Sequence, residues 1–122
     1  METARKGDPD GAAGREARKQ MVICDMKLKA KRFADKVRKK MNVDRAFLEG
    51  YYMSGTGSMV SEMDITFFIS EIEDAMIYDI DRKLIRLARG FEPFINPRAF
   101  PSSAIRDRNA VALHVVNHGF EL

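Results

Sequence analysis

Two carboxylates stand two residues apart in the segment Ser61-Glu62-Met63-Asp64-Ile65-Thr66-Phe67-Phe68-Ile69-Ser70. Its alternation predicts a strand, with Ile65, Phe67 and Ile69 on one face and Glu62, Asp64, Thr66 and Phe68 on the other. On one face, roughly 6–7 Å apart along the backbone, Glu62 and Asp64 can hold one hard cation. Just upstream, Gly50, Gly55 and Gly57 leave a backbone that a phosphate tail can approach closely. Phosphoryl and nucleotidyl transfer ask for this combination, because metal ions neutralise phosphate charge while the protein mainly positions the reacting oxygens.

The elements that must position these residues follow from periodicity. Met26, Ala30, Phe33, Ala34, Val37 and Met41 recur at the helical spacing, predicting a helix over 26–41 with Asp25 as its N-cap. Asn42 to Asp44 reads as a turn and Ala46 to Gly50 as a first strand. The strand over 63–70 is apolar on both faces at Phe67-Phe68-Ile69, which places it centrally in a sheet. Ile72, Met76, Ile80, Leu84 and Leu87 predict a second helix, opened by Glu71, Glu73 and Asp74 and closed by Gly90 in the left-handed conformation. Phe91 to Ile95 reads as a third strand, at an edge or bulged because Pro93 cannot donate to a ladder. Asn96-Pro97 and Pro101-Ser102-Ser103 read as loops, and a last helix over 106–118 stops at Gly119. Phe120-Glu121-Leu122 then returns as a terminal strap. The fold class expected is α/β, a short mixed sheet with packed helices.

With those elements placed, the order of motifs gains meaning. Gly50-Tyr51, then Gly55, then Ser61-Glu62-Met63-Asp64-Ile65 resembles the signature of the minimal nucleotidyltransferases, the MNT type of the polymerase-beta superfamily. That signature runs Gly-Ser, a second glycine, then Ser-Asp-Ile-Asp-Leu. Gly90-Phe91-Glu92-Pro93 with Phe100, and the closing Asn117-His118-Gly119-Phe120-Glu121-Leu122, are similar to the family's downstream strand and C-terminus. The resemblance implies a nucleotidyltransferase-type fold and a transfer of a nucleoside monophosphate, with ATP the first expectation, to a hydroxyl of a small molecule or partner protein. It implies Mg²⁺, or Mn²⁺, held by Glu62, Asp64 and Glu92, with Glu92 also assisting the acceptor. Gly50, Tyr51 and Gly55 match the nucleotide-binding loop. It further implies a helical partner of the HEPN toxin type.

Three positions depart from the family pattern. Tyr51 stands for the serine that holds a phosphate oxygen, Glu62 for the first metal-binding aspartate, and Ser54 for a basic residue. These departures motivate an alternative: a catalytically impaired, antitoxin-like module on the same fold that binds a HEPN-type partner. A third reading, a basic nucleic-acid-binding protein, rests on Lys27, Lys29, Lys31, Arg32, Lys36, Arg38, Lys39 and Lys40. No aromatic residues interleave with those lysines to form a stacking platform.

Composition bounds the rest. At 122 residues the chain is expected to be one domain, spanning 23–122 behind a mobile basic tail over 1–22. Residues 1–45 hold 14 Lys/Arg against 7 Asp/Glu, whereas the motif-bearing remainder is acidic, with 7 against 11. The basic pI therefore comes from the N-terminal part and says little about the site. One cysteine, Cys24, excludes an internal disulfide. The apolar runs are too short for a membrane span or signal peptide, so a cytoplasmic location is expected. Gly55-Thr56-Gly57-Ser58 lacks the Gly-Lys-Ser/Thr of a P-loop. His114 and His118 are expected to be structural.

Overall fold

The computed structural model describes residues 12–51, 63–91 and 95–122. Helix α1 (Ala12–Arg38) leads into strand β1 (Val43–Tyr51), then β2 (Met63–Ile69). A short 3-10 turn (Asp74–Met76) opens α2 (Ile77–Arg89), followed by β3 (Ile95–Pro101), α3 (Ser103–Arg106), α4 (Ala110–His118) and β4 (Phe120–Glu121). The four strands form one mixed sheet in the order β3-β2-β1-β4. β1 runs antiparallel to β2 and β4, and β3 runs parallel to β2. This is a small α/β domain, with helices on both faces of the sheet.

Alternation along β2 assigns the layers. Met63, Ile65, Phe67 and Ile69 point into a core with Ala46 and Leu48 of β1, Met26, Phe33 and Val37 of α1, and Ile80, Leu84 and Ala88 of α2. Phe68 points the other way, into a smaller core with Phe47, Ala104, Ala112 and Val115. β2 is buried on both faces and lies between two partners, as its apolar composition requires. Phe33 meets Phe67 edge-on at 5.9 Å, and Phe68 stacks on Phe100 at 5.8 Å.

Several boundaries differ from the sequence expectations. α1 begins at Ala12, so Asp25 lies inside the helix and caps nothing; its carboxylate instead meets Lys29 at 3.4 Å, one turn on. The helix ends at Arg38 rather than 41, and β1 starts at Val43 within the expected turn. Met76 is 44% exposed, outside the stripe that buries Ile80, Leu84 and Ala88. Gly90 has φ −80°, so α2 ends without a left-handed residue. Its last turn tightens instead, with the Phe91 N–H donating to the Ala88 carbonyl at 3.0 Å.

The largest shift concerns β3. It occupies Ile95–Pro101 and takes in Asn96-Pro97 and Pro101, which the sequence assigned to loops; of the strand expected over 91–95, Phe91 lies in a turn and 92–94 lie outside the described residues. The Ala99 N–H points away from β2 and donates to Asp81 Oδ1 of α2 at 2.9 Å. Pro97 and Pro101, two residues to either side, share that direction, so their missing N–H groups interrupt no ladder bond. The expected last helix is also divided. Arg108 turns through φ 58°, and Asn109 caps α4 by accepting from the Val111 and Ala112 N–H groups at 3.0 and 3.1 Å. β4 is the expected terminal strap, with the Leu122 N–H donating to the Ala46 carbonyl at 2.8 Å. Among the described residues no helix is long and apolar enough to cross a membrane.

Candidate functional site

Among the described residues, α3 and α4 cover one end of the sheet's second face, over Phe47, Phe68 and Phe100. The other end carries Glu49 of β1, Asp64 and Thr66 of β2, and Asn96 and Arg98 of β3. In the parallel register Asp64 lies beside Asn96 and Thr66 beside Arg98. This polar half-face contains Asp64, the second acid of the Glu-x-Asp pair.

A β-bulge decides what stands opposite Asp64. Phe47 pairs with Thr66 and Leu48 with Ile65, so an uninterrupted ladder would pair Glu49 with Asp64. The register shifts between Leu48 and Gly50, leaving Glu49 unpaired and setting Gly50 against Asp64. Two carboxylates directly across a ladder repel each other. The bulge removes that pairing and places a residue without a side chain beside Asp64.

Glu49 is directed instead toward Arg98. The Arg98 guanidinium donates from Nη2 to both Glu49 oxygens, at 2.8 and 3.1 Å, and from Nε to Thr66 Oγ1 at 2.9 Å. The Thr66 hydroxyl in turn donates to Glu49 Oε2. Thr66 is fully buried, and its side chain is satisfied by this closed triangle. Glu49 is 17% and Arg98 44% exposed, so the guanidinium reaches solvent at the surface of the half-face. Asp64 is partly exposed, and its Oδ1 accepts a long hydrogen bond from Asn96 Nδ2 at 3.3 Å.

Of the six site residues drawn from the sequence, the structure relates Gly50 and Asp64 directly, as cross-strand neighbours. Tyr51 ends β1 opposite Met63. Glu62, Gly55 and Glu92 lie outside the described residues, as does Ser54. Among the described residues there is no group of three His, Cys, Asp or Glu side chains able to hold a metal. Asp64 offers the hard oxygen ligand that magnesium requires, and magnesium characteristically takes one or two protein carboxylates along with substrate phosphates and water. Of the three carboxylates expected to hold the metal, Asp64 alone lies among the described residues.

No protein-family model, no curated protein and no solved structure matches this chain. The site must therefore be read from its own chemistry. An acid, an amide and a half-exposed guanidinium share one patch, with Gly50 of the neighbouring strand paired opposite the acid. A carboxylate and a cation so placed can engage a metal–phosphate group, the acid through the metal and the guanidinium through phosphate oxygens.

Sequence reasoning passed over Glu49, Thr66, Asn96 and Arg98. One signal was available: Thr66 is a polar residue in an otherwise apolar central strand, and a buried hydroxyl needs partners. The partners themselves come from β1 and β3 and leave no local pattern. The basic helix, by contrast, spends much of its charge internally. Lys31 and Arg38 hold Asp35 at 3.2 and 3.0 Å, with the Lys31 hydrogen bond the main cause that lowers its pKa. Lys27 lies 4.2 Å from the Phe120 ring centre and Lys36 5.6 Å from that of Phe91. The His114 and His118 rings stack at 4.3 Å on an exposed face, and His118 Nδ1 lies 3.0 Å from the His114 carbonyl oxygen.

Proposed function

We propose that this chain is a metal-dependent nucleotidyltransferase of the minimal type, moving a nucleoside monophosphate from a triphosphate, ATP foremost, onto a hydroxyl acceptor. The observation that carries the proposal is the bulged register that sets Gly50 opposite Asp64. It pairs the glycine of the first motif with the acid of the second across two neighbouring strands. The ordered motif resemblance from Gly50 to Leu122 adds to it.

Asp64, with Glu62 and Glu92, would hold Mg²⁺. When bound, the ion supplies charge neutralisation for the phosphates and alignment of the attacking and leaving oxygens. The chain's own contributions are distinct. Gly50 lets phosphate oxygens approach the β1 backbone without meeting a side chain. Arg98, fixed by Thr66 and Glu49, presents a preorganised cation to a phosphate oxygen, and Asn96 orients the Asp64 carboxylate. Glu92 would accept the proton of the acceptor hydroxyl.

Incorporation of α-labelled nucleotide from each of the four triphosphates, into chain or added acceptor, tests the reading. Asp64→Ala should abolish Mg²⁺-dependent transfer and Arg98→Ala should weaken it. Transfer untouched by Asp64→Ala refutes the assignment.

A second reading is favoured by one observation. β3 places an amide, Asn96, beside Asp64, and the Glu49–Arg98 pair is already mutually neutralised. A patch of that kind suits a nucleotidyltransferase-fold module that binds a helical partner without turnover. Calorimetry separates the two readings: tight binding of nucleotide only with Mg²⁺ supports the enzyme, and no binding with or without the metal supports the module.

A further inference from the structure

A cavity of about 630 Å³ opens on the opposite face and at the opposite end of the sheet from Asp64. Ile69, at the far end of β2, forms part of its floor; Asp64 and Ile69 are separated by about 17 Å of strand. Its volume falls within the range of small-molecule sites. Ile72, Ile80 and Leu87 complete an apolar floor shared with the main core. Lys40, from the turn after α1, and Lys83 and Arg86, one helical turn apart on α2, supply cations from two walls. None of the three has an ion-pair partner among the described residues. Glu71 is the single acidic residue among the described lining residues, held in a turn at φ 61°. Three cations against one carboxylate, over an apolar floor, form a site with both a chemical preference and a shape.

We infer that this cavity binds a small amphipathic anion, with an apolar body on the Ile69–Ile80–Leu87 floor and a carboxylate or phosphate head between Lys40 and the Lys83–Arg86 pair. Lys40, Lys83 and Arg86 are exposed whereas Ile69 and Ile80 are buried, so one end of the ligand is desolvated and the other remains charged and wet. An uncharged ligand of the same shape would gain the floor but leave the cationic walls unanswered. A second copy of the chain would need an acidic projection to reach the floor. This inference is independent of the chemistry at Asp64.

The full chain is titrated with the fluorescent anion 1-anilinonaphthalene-8-sulfonate and, in parallel, with its uncharged relative N-phenyl-1-naphthylamine. The sulfonate should bind one to one. Lys83→Glu/Arg86→Glu should weaken it by about tenfold or more, as expected when two attractive charges become repulsive. Arg32→Glu/Arg106→Glu, an equal charge change at exposed residues that do not line the cavity, should leave it unchanged. Octanoate and octyl phosphate should displace the sulfonate and octan-1-ol should not, the better of the two anions naming the head group. Thermal melting establishes that both double variants are folded. Cavity filling by Ile72→Trp should abolish binding without reversing any charge. Equal affinity for the charged and uncharged dyes, equal losses in both double variants, or displacement by octan-1-ol overturns the inference. Self-association that competes with the dye and disappears in Lys83→Glu/Arg86→Glu also overturns it, in favour of a second copy.

Discussion

Replacing Thr66 by valine keeps the shape of a fully buried side chain and removes only its hydroxyl. In the native chain that hydroxyl closes a triangle, accepting from Arg98 Nε and donating to Glu49 Oε2. Both lost bonds involve charged partners, and such bonds contribute about 1.5–3 kcal/mol each when their partners are shielded from water. Arg98, 44% exposed, can turn its freed N–H groups to solvent, whereas Glu49, 17% exposed, regains less hydration. The Arg98–Glu49 contact itself survives. Discounting the solvated side leaves about 2 kcal/mol, less a few tenths returned by the methyl group's burial. For a chain of 122 residues that corresponds to a fall in Tm of about 6–10 °C. Chemical denaturation with urea, read by far-UV circular dichroism, measures the change directly. Thr66→Ser, which restores the hydroxyl, should recover the polar part and lose only the methyl contribution. A Thr66→Val variant within about 0.5 kcal/mol of the native chain refutes the claim that this triangle fixes the polar half-face.

Four further outcomes follow from other contacts. Asp64→Asn should stop Mg²⁺-dependent nucleotide transfer while changing stability little, because the amide keeps an oxygen for Asn96; a parallel urea titration checks the second half. Gly119→Ala should destabilise by about 1–3 kcal/mol, since a Cβ there would stand 2.7 Å from the Val115 carbonyl oxygen and 3.0 Å from Phe47 Cβ. Hydrogen exchange at the Leu122 amide, bonded to Ala46, should report the loosened strap first. Burial raises the Asp81 pKa more than its bond from the Ala99 N–H lowers it, so the folded state holds that proton more tightly than the unfolded. Stability therefore falls as pH rises from the ordinary value of 3.8 through the folded value, and Asp81→Asn should flatten that slope in acid titrations followed by denaturation. Glu121 behaves oppositely: its bidentate bond from Arg45 lowers its pKa, so its contribution is present above 4.5 and disappears as pH falls through the folded value. The pair is largely exposed, so Glu121→Gln should cost under about 1 kcal/mol, less at high salt.

The parts of this protein legible in its sequence are those set by neighbours along the chain. The period of Ala30, Phe33, Ala34 and Val37 fixes which side of α1 is buried, because a helix returns the same face every turn. The run Ile65 to Ile69 announces a central strand, since only burial on both sides accommodates it. The final Phe120-Glu121-Leu122 strap was likewise readable. Tertiary structure decided the rest. Two prolines argued against a strand at 95–101, yet an edge strand directs alternate N–H groups away from its ladder, and Pro97 and Pro101 occupy those positions. The bulge at Glu49 is invisible locally; it shows only in the pairing of β1 with β2, whose register parts Glu49 from Asp64. Arg98 reaches Thr66 and Glu49 across intervals of 32 and 49 residues that carry no periodic signal. Gly50 and Asp64 were each marked by residue type and spacing. Their placement opposite one another was set by the cross-strand register, because a one-residue slip reverses every side chain on a strand.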